Sequence, residues 1–187
     1  MIKRIFDLML SFAFIFVLII PSIFIAILIR LTSSGDILYW SKRVGKNNII
    51  FKMPKFRTMK INTPQLATHL LINSSDAITP FGNFLRKYSL DEIPQLWSIL
   101  KGDMSFVGPR PALFNQYDLI ALRSAKGIHK LLPGLSGWAQ INGRDDLEIE
   151  AKVTKDIEYL ERQSFLFDLQ IIWLTILKVI KKDGVSH

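Results

Sequence analysis

The chain has 187 residues, 49% of them hydrophobic, no cysteine and a formal net charge of +8. That length accommodates one domain plus a modest appendage, and the lack of cysteine excludes disulfides and thiolate metal sites. A positive mean hydropathy of +0.25 combined with a basic balance points to an anionic membrane surface or phosphate ligands rather than nucleic acid, for which no reading module is visible.

From Ile5 to Ile29 the sequence is almost unbroken apolar, with Asp7 its single charge. As a helix this stretch measures about 37 Å, enough to cross a bilayer with some tilt. Pro21 lies inside it and removes a backbone hydrogen bond, so a kink or break is expected there. Both flanks are basic, with Lys3 and Arg4 before and Arg30, Lys42 and Arg43 after. Topology by charge is best satisfied when both ends stay cytoplasmic. A helix-break-helix that enters one leaflet and returns meets both conditions; a plain spanning helix meets the length condition alone. The run is too long for a signal peptide and no A-x-A-like site follows it. Asp7 is costly against lipid and is expected to pair with Lys3 or Arg4 one turn earlier.

Thr32-Ser33-Ser34-Gly35 reads as a loop dividing an anchor, residues 1–31, from a globular part, residues 32–187. Ile37–Trp40 and Ile49–Met53 read as a short β-hairpin around Lys46-Asn47-Asn48. Residues 61–80 read as a polar excursion. Helical patterns follow at Phe81–Tyr88, Asp91–Lys101 and Ala112–Ala125, with Pro/Gly-rich loops at 102–112 and 133–143. Residues 147–162 read as a charged surface helix. In the last helix, Phe165–Lys182, the polar residues Asp168, Thr175, Lys178 and Lys182 share one narrow face. Leu169, Ile172, Trp173, Ile176, Val179 and Ile180 occupy the rest. Such a helix suits the plane of a membrane interface, or a core-facing position. The fold class is α/β, mainly helical: a membrane-inserted N-terminal element, a small globular domain with a short β-hairpin, and amphipathic interfacial helices.

The chemistry concentrates in residues 89–111. Pro94 is tolerated in a helix's first turn but not deep inside it, which puts the start of that helix at Asp91. Asp91 then has two uses. It is a favoured N-cap, and Ser89-x-x-Glu92 matches a capping box. Equally, an ionised aspartate can attack phosphorus and form an acyl phosphate, with Glu92 handling protons. Arg110, between Pro109 and Pro111, reads as a pre-positioned phosphate clamp or as a surface turn. Lys52, Lys55, Arg57 and Lys60 alternate with Phe51, Met53 and Phe56, either as a solvated strand face or as substrate-phosphate ligands. Asn142-Gly143-Arg144 is a turn able to present Arg144 to a ligand. Magnesium suits a site of few carboxylates plus phosphates, with Asp91 as a ligand. His69, His129 and His187 lack metal-ligand spacing.

Together these residues resemble the monotopic phosphoglycosyl transferases, bacterial sugar transferases that move a sugar phosphate onto a polyprenyl phosphate. The resemblance runs through Lys3-Arg4 with Asp7, the proline in the N-terminal helix, Lys55-Phe56-Arg57-Thr58-Met59, the 89–111 block, Pro133-Gly134-Leu135-Ser136-Gly137, Gln140–Arg144 and Ser164–Asp168. It implies Asp91 as nucleophile, Glu92 as catalytic acid/base, Arg110 as phosphate ligand and Arg144 near the nucleotide-sugar. It further implies Mg²⁺ as cofactor, a UDP-sugar and undecaprenyl phosphate as substrates, and a monotopic protein on the cytoplasmic face of the bacterial inner membrane. The reaction implied releases UMP through an aspartyl phosphosugar and starts surface-glycan assembly. One departure stands out: Ser22 follows Pro21, where the family pattern has serine before the proline. The competing functions are a glycosyltransferase releasing UDP and a non-catalytic membrane-surface adaptor.

Overall fold

A computed structural model describes residues 2–61, 63, 77–143 and 147–181. The chain is mostly helical. Helix α1 (Ile2–Thr32) leads into a hairpin of β1 (Leu38–Val44) and β2 (Ile50–Phe56), then α2 (Pro80–Lys87). A 3-10 turn, Leu90–Gln95, runs directly into α3 (Leu96–Lys101). Beyond it come β3 (Ser105–Val107), α4 (Tyr117–Ala125), β4 (Gly134–Ser136), the short α5 (Trp138–Ile141), α6 (Ile149–Arg162) and α7 (Phe165–Lys181).

Local chemistry accounts for several boundaries. Asn47 (φ 55°) and Asn48 (φ 60°) turn the hairpin in the left-handed region that asparagine tolerates. The strands pair antiparallel from Leu38 opposite Phe56 to Val44 opposite Ile50. The Thr79 side chain accepts the Gly82 amide at 3.1 Å, with Pro80 opening the helix, a standard start for α2. Gly102, at φ 92°, ends α3. The two loops expected at 102–112 and 133–143 contain a parallel pair: β3 and β4 align Ser105 with Gly134 and Val107 with Ser136. Residues 112–116, expected to begin a helix, precede α4, which starts at Tyr117.

The main core gathers Met53 from β2, Leu96 and Ile99 from α3, Phe106 and Val107 from β3, Tyr159 from α6, and Phe167 and Ile171 from α7. Helix α1 is part of this packing along its length. Leu10, Ile15 and Leu18 lie against the main core, while Ile25 and Ile29 pack with Phe56 and Leu85. No break occurs at Pro21, and the expected helix-break-helix is one continuous helix with an internal proline. Pro21 removes one hydrogen bond, yet helical structure continues through it, and residues on both sides of it pack against the globular part.

Polarity on α1 and α7 is reversed relative to a water-facing helix. On α1 the buried positions include Asp7 and Ser11, whereas Phe16 and Ile20 are 84% and 76% exposed. Asp7 does not pair with Lys3 or Arg4; it accepts the Phe106 amide at 3.2 Å. Arg4 donates instead to the carbonyls of Ile99 and Leu100 at the end of α3 (2.6 and 2.7 Å), and Lys3 reaches Asp168 at 2.6 Å. On α7, Asp168 and Thr175 turn inward. Asp168 also accepts the Tyr159 hydroxyl (2.7 Å), and Thr175 bonds Ser136 (2.5 Å). Trp173, 60% exposed, Ile176 and Val179 face outward. Exposed apolar surface this extensive marks a membrane or partner contact.

Asp168 holds two donors from different elements, so its removal leaves the half-buried Lys3 ammonium and the buried Tyr159 phenol to share the Val107 carbonyl alone. Asp168→Ala is expected to cost about 1–3 kcal/mol of stability, read as a lowered unfolding midpoint in detergent. An unchanged midpoint contradicts this role.

Candidate active site

Three segments converge on the acid pair. Strand β2 carries Lys55, the 3-10 turn carries Asp91 and Glu92, and the loop after β3 carries Arg110. The 3-10 winding follows from Pro94, whose ring in an α-helix would clash with the carbonyl of Leu90; the tighter turn avoids it. Asp91 is therefore not an N-cap. Ser89 precedes the turn in the left-handed region (φ 53°), and its side chain makes no capping bond, so the expected capping box does not form. The Ser89 carbonyl accepts the Glu92 amide at 3.2 Å.

Asp91 is 7% exposed. Lys55 Nζ lies 3.5 Å from Asp91 Oδ2 and donates to Glu92 Oε1 at 2.8 Å. Arg110 Nη2 stands 3.5 Å from the same Glu92 oxygen. Burial lifts the Asp91 carboxyl above its ordinary pKa; Lys55 opposes this, Glu92 adds to it, and Arg86 opposes it. The cation that favours ionised Asp91 most is thus a lysine from the hairpin rather than a helix dipole. A poorly solvated carboxylate beside two cations is suited to attack on an electrophile that brings its own negative charge.

Arg110 is held through its backbone. Gly108 donates to Ser136 O and Gly134 to Pro109 O, both at 2.9 Å. Arg123 donates to Arg110 O at 2.7 Å, and Arg43 to Pro111 O at 3.1 Å. Val44 completes the set on Ala112 O at 2.9 Å. Gly134 is required by contact: a Cβ there would collide with the Gly108 backbone. The two glycine-containing loops are thereby pressed together beneath the arginine.

The sequence matches the bacterial sugar transferase family over residues 1–182. This chain belongs to that family. It is 37% identical over 189 residues to the uncharacterized sugar transferase EpsL of Bacillus subtilis (strain 168), covering 100% of this chain and 91% of that protein. It is 38% identical over 161 residues to the UDP-glucose:undecaprenyl-phosphate glucose-1-phosphate transferase of Escherichia coli (strain K12), covering 82% of this chain and 35% of the relative. Identity to the undecaprenyl-phosphate galactose phosphotransferase of Salmonella typhimurium is 34% over 203 residues, covering 98% and 41%. The transferase chain thus spans nearly all of the Bacillus relative but well under half of the other two.

Among the described residues of this sugar transferase, no group of three or more histidine, aspartate or glutamate side chains could hold a metal. Asp91 and Glu92 supply two adjacent carboxylates, which fits Mg²⁺ bound jointly with substrate phosphates rather than in an all-protein cage. Arg57, expected among the phosphate ligands, is engaged elsewhere. Its guanidinium donates to Ser33 O and Oγ (both 3.0 Å) and to Ser34 O, tying the hairpin to the end of α1. It makes no ion pair with either acid. Arg144 lies outside the described residues. Four arginine and aspartate contributions escaped the sequence reading: Arg43, Arg86, Arg123 and Asp156. Arg123 follows Leu119 at i+4 and Asp156 follows Val153 at i+3, so both fall on buried helix faces. A charge on such a face is the signal that marks them.

Proposed function

We propose that this transferase moves a sugar 1-phosphate from a UDP-sugar to undecaprenyl phosphate, releasing UMP, through a phosphosugar carried on Asp91. The observation that carries the reading is buried Asp91 beside half-buried Glu92, with Lys55 between them and Arg110 facing Glu92. The relatives named for UDP-glucose and for undecaprenyl phosphate support the substrate classes.

In the first step Asp91 attacks the β-phosphorus of the UDP-sugar. The bond to the oxygen bridging the two phosphates breaks, UMP leaves with that oxygen, and an acyl phosphate forms on Asp91. In the second, a phosphate oxygen of the lipid attacks the same phosphorus and the bond to Asp91 breaks, freeing its carboxylate. Glu92 accepts any proton the acceptor phosphate brings. Lys55 and Arg110 stabilise the negative charge that gathers on the transferring group. Asp91 would hold Mg²⁺, which when bound would supply further electrostatic stabilisation of phosphate charge. The test is nucleotide release across a panel of UDP-sugars: UMP supports the reading, whereas UDP indicates ordinary glycosyl transfer.

The membrane setting we propose is monotopic, on the cytoplasmic face, with α1 immersed lengthwise in one leaflet. Two features support it. Both ends of α1 contact the same globular body, through Lys3 and Arg4 at one end and Ile29 at the other. A helix this long crossing perpendicularly would separate its ends by about 45 Å. The outward faces of α1 and α7 are also apolar while their polar residues face inward. Since the chain lacks cysteine, single cysteines at the exposed positions Ile2 and Ser34 report topology cleanly. Both are expected to react with an impermeant maleimide from the cytoplasmic side only; labelling from opposite sides means a spanning helix.

A further inference from the structure

Arg110 presents its guanidinium to Glu92, but a loop arginine is only as well placed as its backbone. Pro109 and Pro111 restrict the loop's dihedral angles without supplying any N–H to hold it. The Arg110 carbonyl accepts a bond from Arg123, at 2.7 Å. Arg123 is itself fixed. Its Nε and Nη2 donate to Asp156 Oδ2 at 2.9 and 2.6 Å, and both residues are buried between α4 and α6. The guanidinium therefore has one edge on the carboxylate and its remaining nitrogen on the loop. That is a geometry a lysine ammonium cannot reproduce, because one nitrogen must serve both partners.

We propose that Arg123, oriented by Asp156, is a positioning residue for phosphate binding, acting on the substrate through the Arg110 carbonyl without touching it. The proposal rests on the reading of Arg110 as a phosphate clamp. It assigns to the α4–α6 interface a role in substrate affinity beyond packing. It also explains why a costly pair of charges is buried at a site where apolar side chains would pack as well.

A double-mutant cycle separates positioning from packing. Arg123→Ala would strand Asp156 as an unpaired buried charge, so Arg123→Lys is the informative variant, made alone and with Arg110→Ala. The probe is inorganic pyrophosphate, with its affinity for the detergent-solubilised protein measured by calorimetry and the unfolding midpoint recorded for each variant. Arg110→Ala is expected to weaken pyrophosphate binding about tenfold or more. Arg123→Lys is expected to weaken it about fivefold in the wild-type background and less than about twofold in the Arg110→Ala background. Its effect on the midpoint should be the same in both. If Arg123→Lys leaves affinity unchanged, or weakens it equally with and without Arg110, the positioning role is wrong. If Arg110→Ala itself leaves affinity unchanged, the phosphate clamp fails and the positioning role fails with it.

Discussion

Asp91→Asn is expected to reduce UMP release at least about a thousandfold while the protein stays folded. The amide has nearly the shape of the carboxylate but cannot form an acyl phosphate, so the covalent route closes. Stability should hold or improve, since the turn does not use Asp91 as a cap. Lys55 keeps its 2.8 Å bond to Glu92 in the variant. The sign of the pH dependence follows from burial, which raises the Asp91 pKa above its unfolded value. Between those two values the folded state holds more protons than the unfolded state, so this group's contribution to stability falls as pH rises. Asparagine does not ionise. The stability advantage of Asp91→Asn over wild type should therefore grow with pH through that window. A variant that loses stability but keeps turnover would reverse both assignments.

Lys55→Met should produce the second-largest loss and change its shape with pH. Lys55 is the strongest influence opposing the burial that raises the Asp91 pKa, and Glu92 acts in the same direction as burial. Without the lysine, Asp91 protonates at higher pH. The nucleophile must be ionised, so the acidic limb of the kcat/KM profile should move upward in pH. At neutral pH the loss is expected to be about tenfold or more, recovering in part in alkaline buffer. Part of the loss will not recover, because Lys55 also offsets phosphate charge. A uniform decrease with an unmoved profile would confine Lys55 to charge stabilisation.

The elements most legible in the sequence are those whose pattern is local. The apolar run from Ile5, the hairpin around Asn47-Asn48 and the helix at Ile149–Arg162 all follow from periodicity and turn chemistry. The parallel β3–β4 pair does not, because three-residue strands embedded between glycines and prolines have no readable period, and their pairing is non-local. On α7, spacing correctly groups Asp168 with Thr175, but a period says nothing about which face is inside. Here Asp168 is buried and Thr175 half-buried, and Lys3, Tyr159 and Ser136 supply their partners.

The site divides in the same way. Asp91, Glu92, Arg110 and Lys55 are candidates on the sequence alone, and the structure brings the four side chains together. The role of Asp91 as a cap was an error of local geometry: the clash of Pro94 with the Leu90 carbonyl favours 3-10 winding, which moves the turn's start back to Leu90. Arg57 is assigned from its neighbours in sequence, yet Ser33 and Ser34, some two dozen residues away, take both of its terminal nitrogens. Arg123 and Asp156 depend on two helices meeting behind the Arg110 loop, which no single segment encodes.

The most direct measurement is intact-protein and peptide mass spectrometry after mixing the transferase with its UDP-sugar and Mg²⁺ in the absence of lipid acceptor. The expected result is one phosphosugar adduct per chain, located on the peptide containing Asp91, with UMP released in equal amount. Asp91→Asn should show neither, and added undecaprenyl phosphate should discharge the adduct. Release of UDP, or full turnover with no adduct on Asp91, would contradict covalent transfer through this residue.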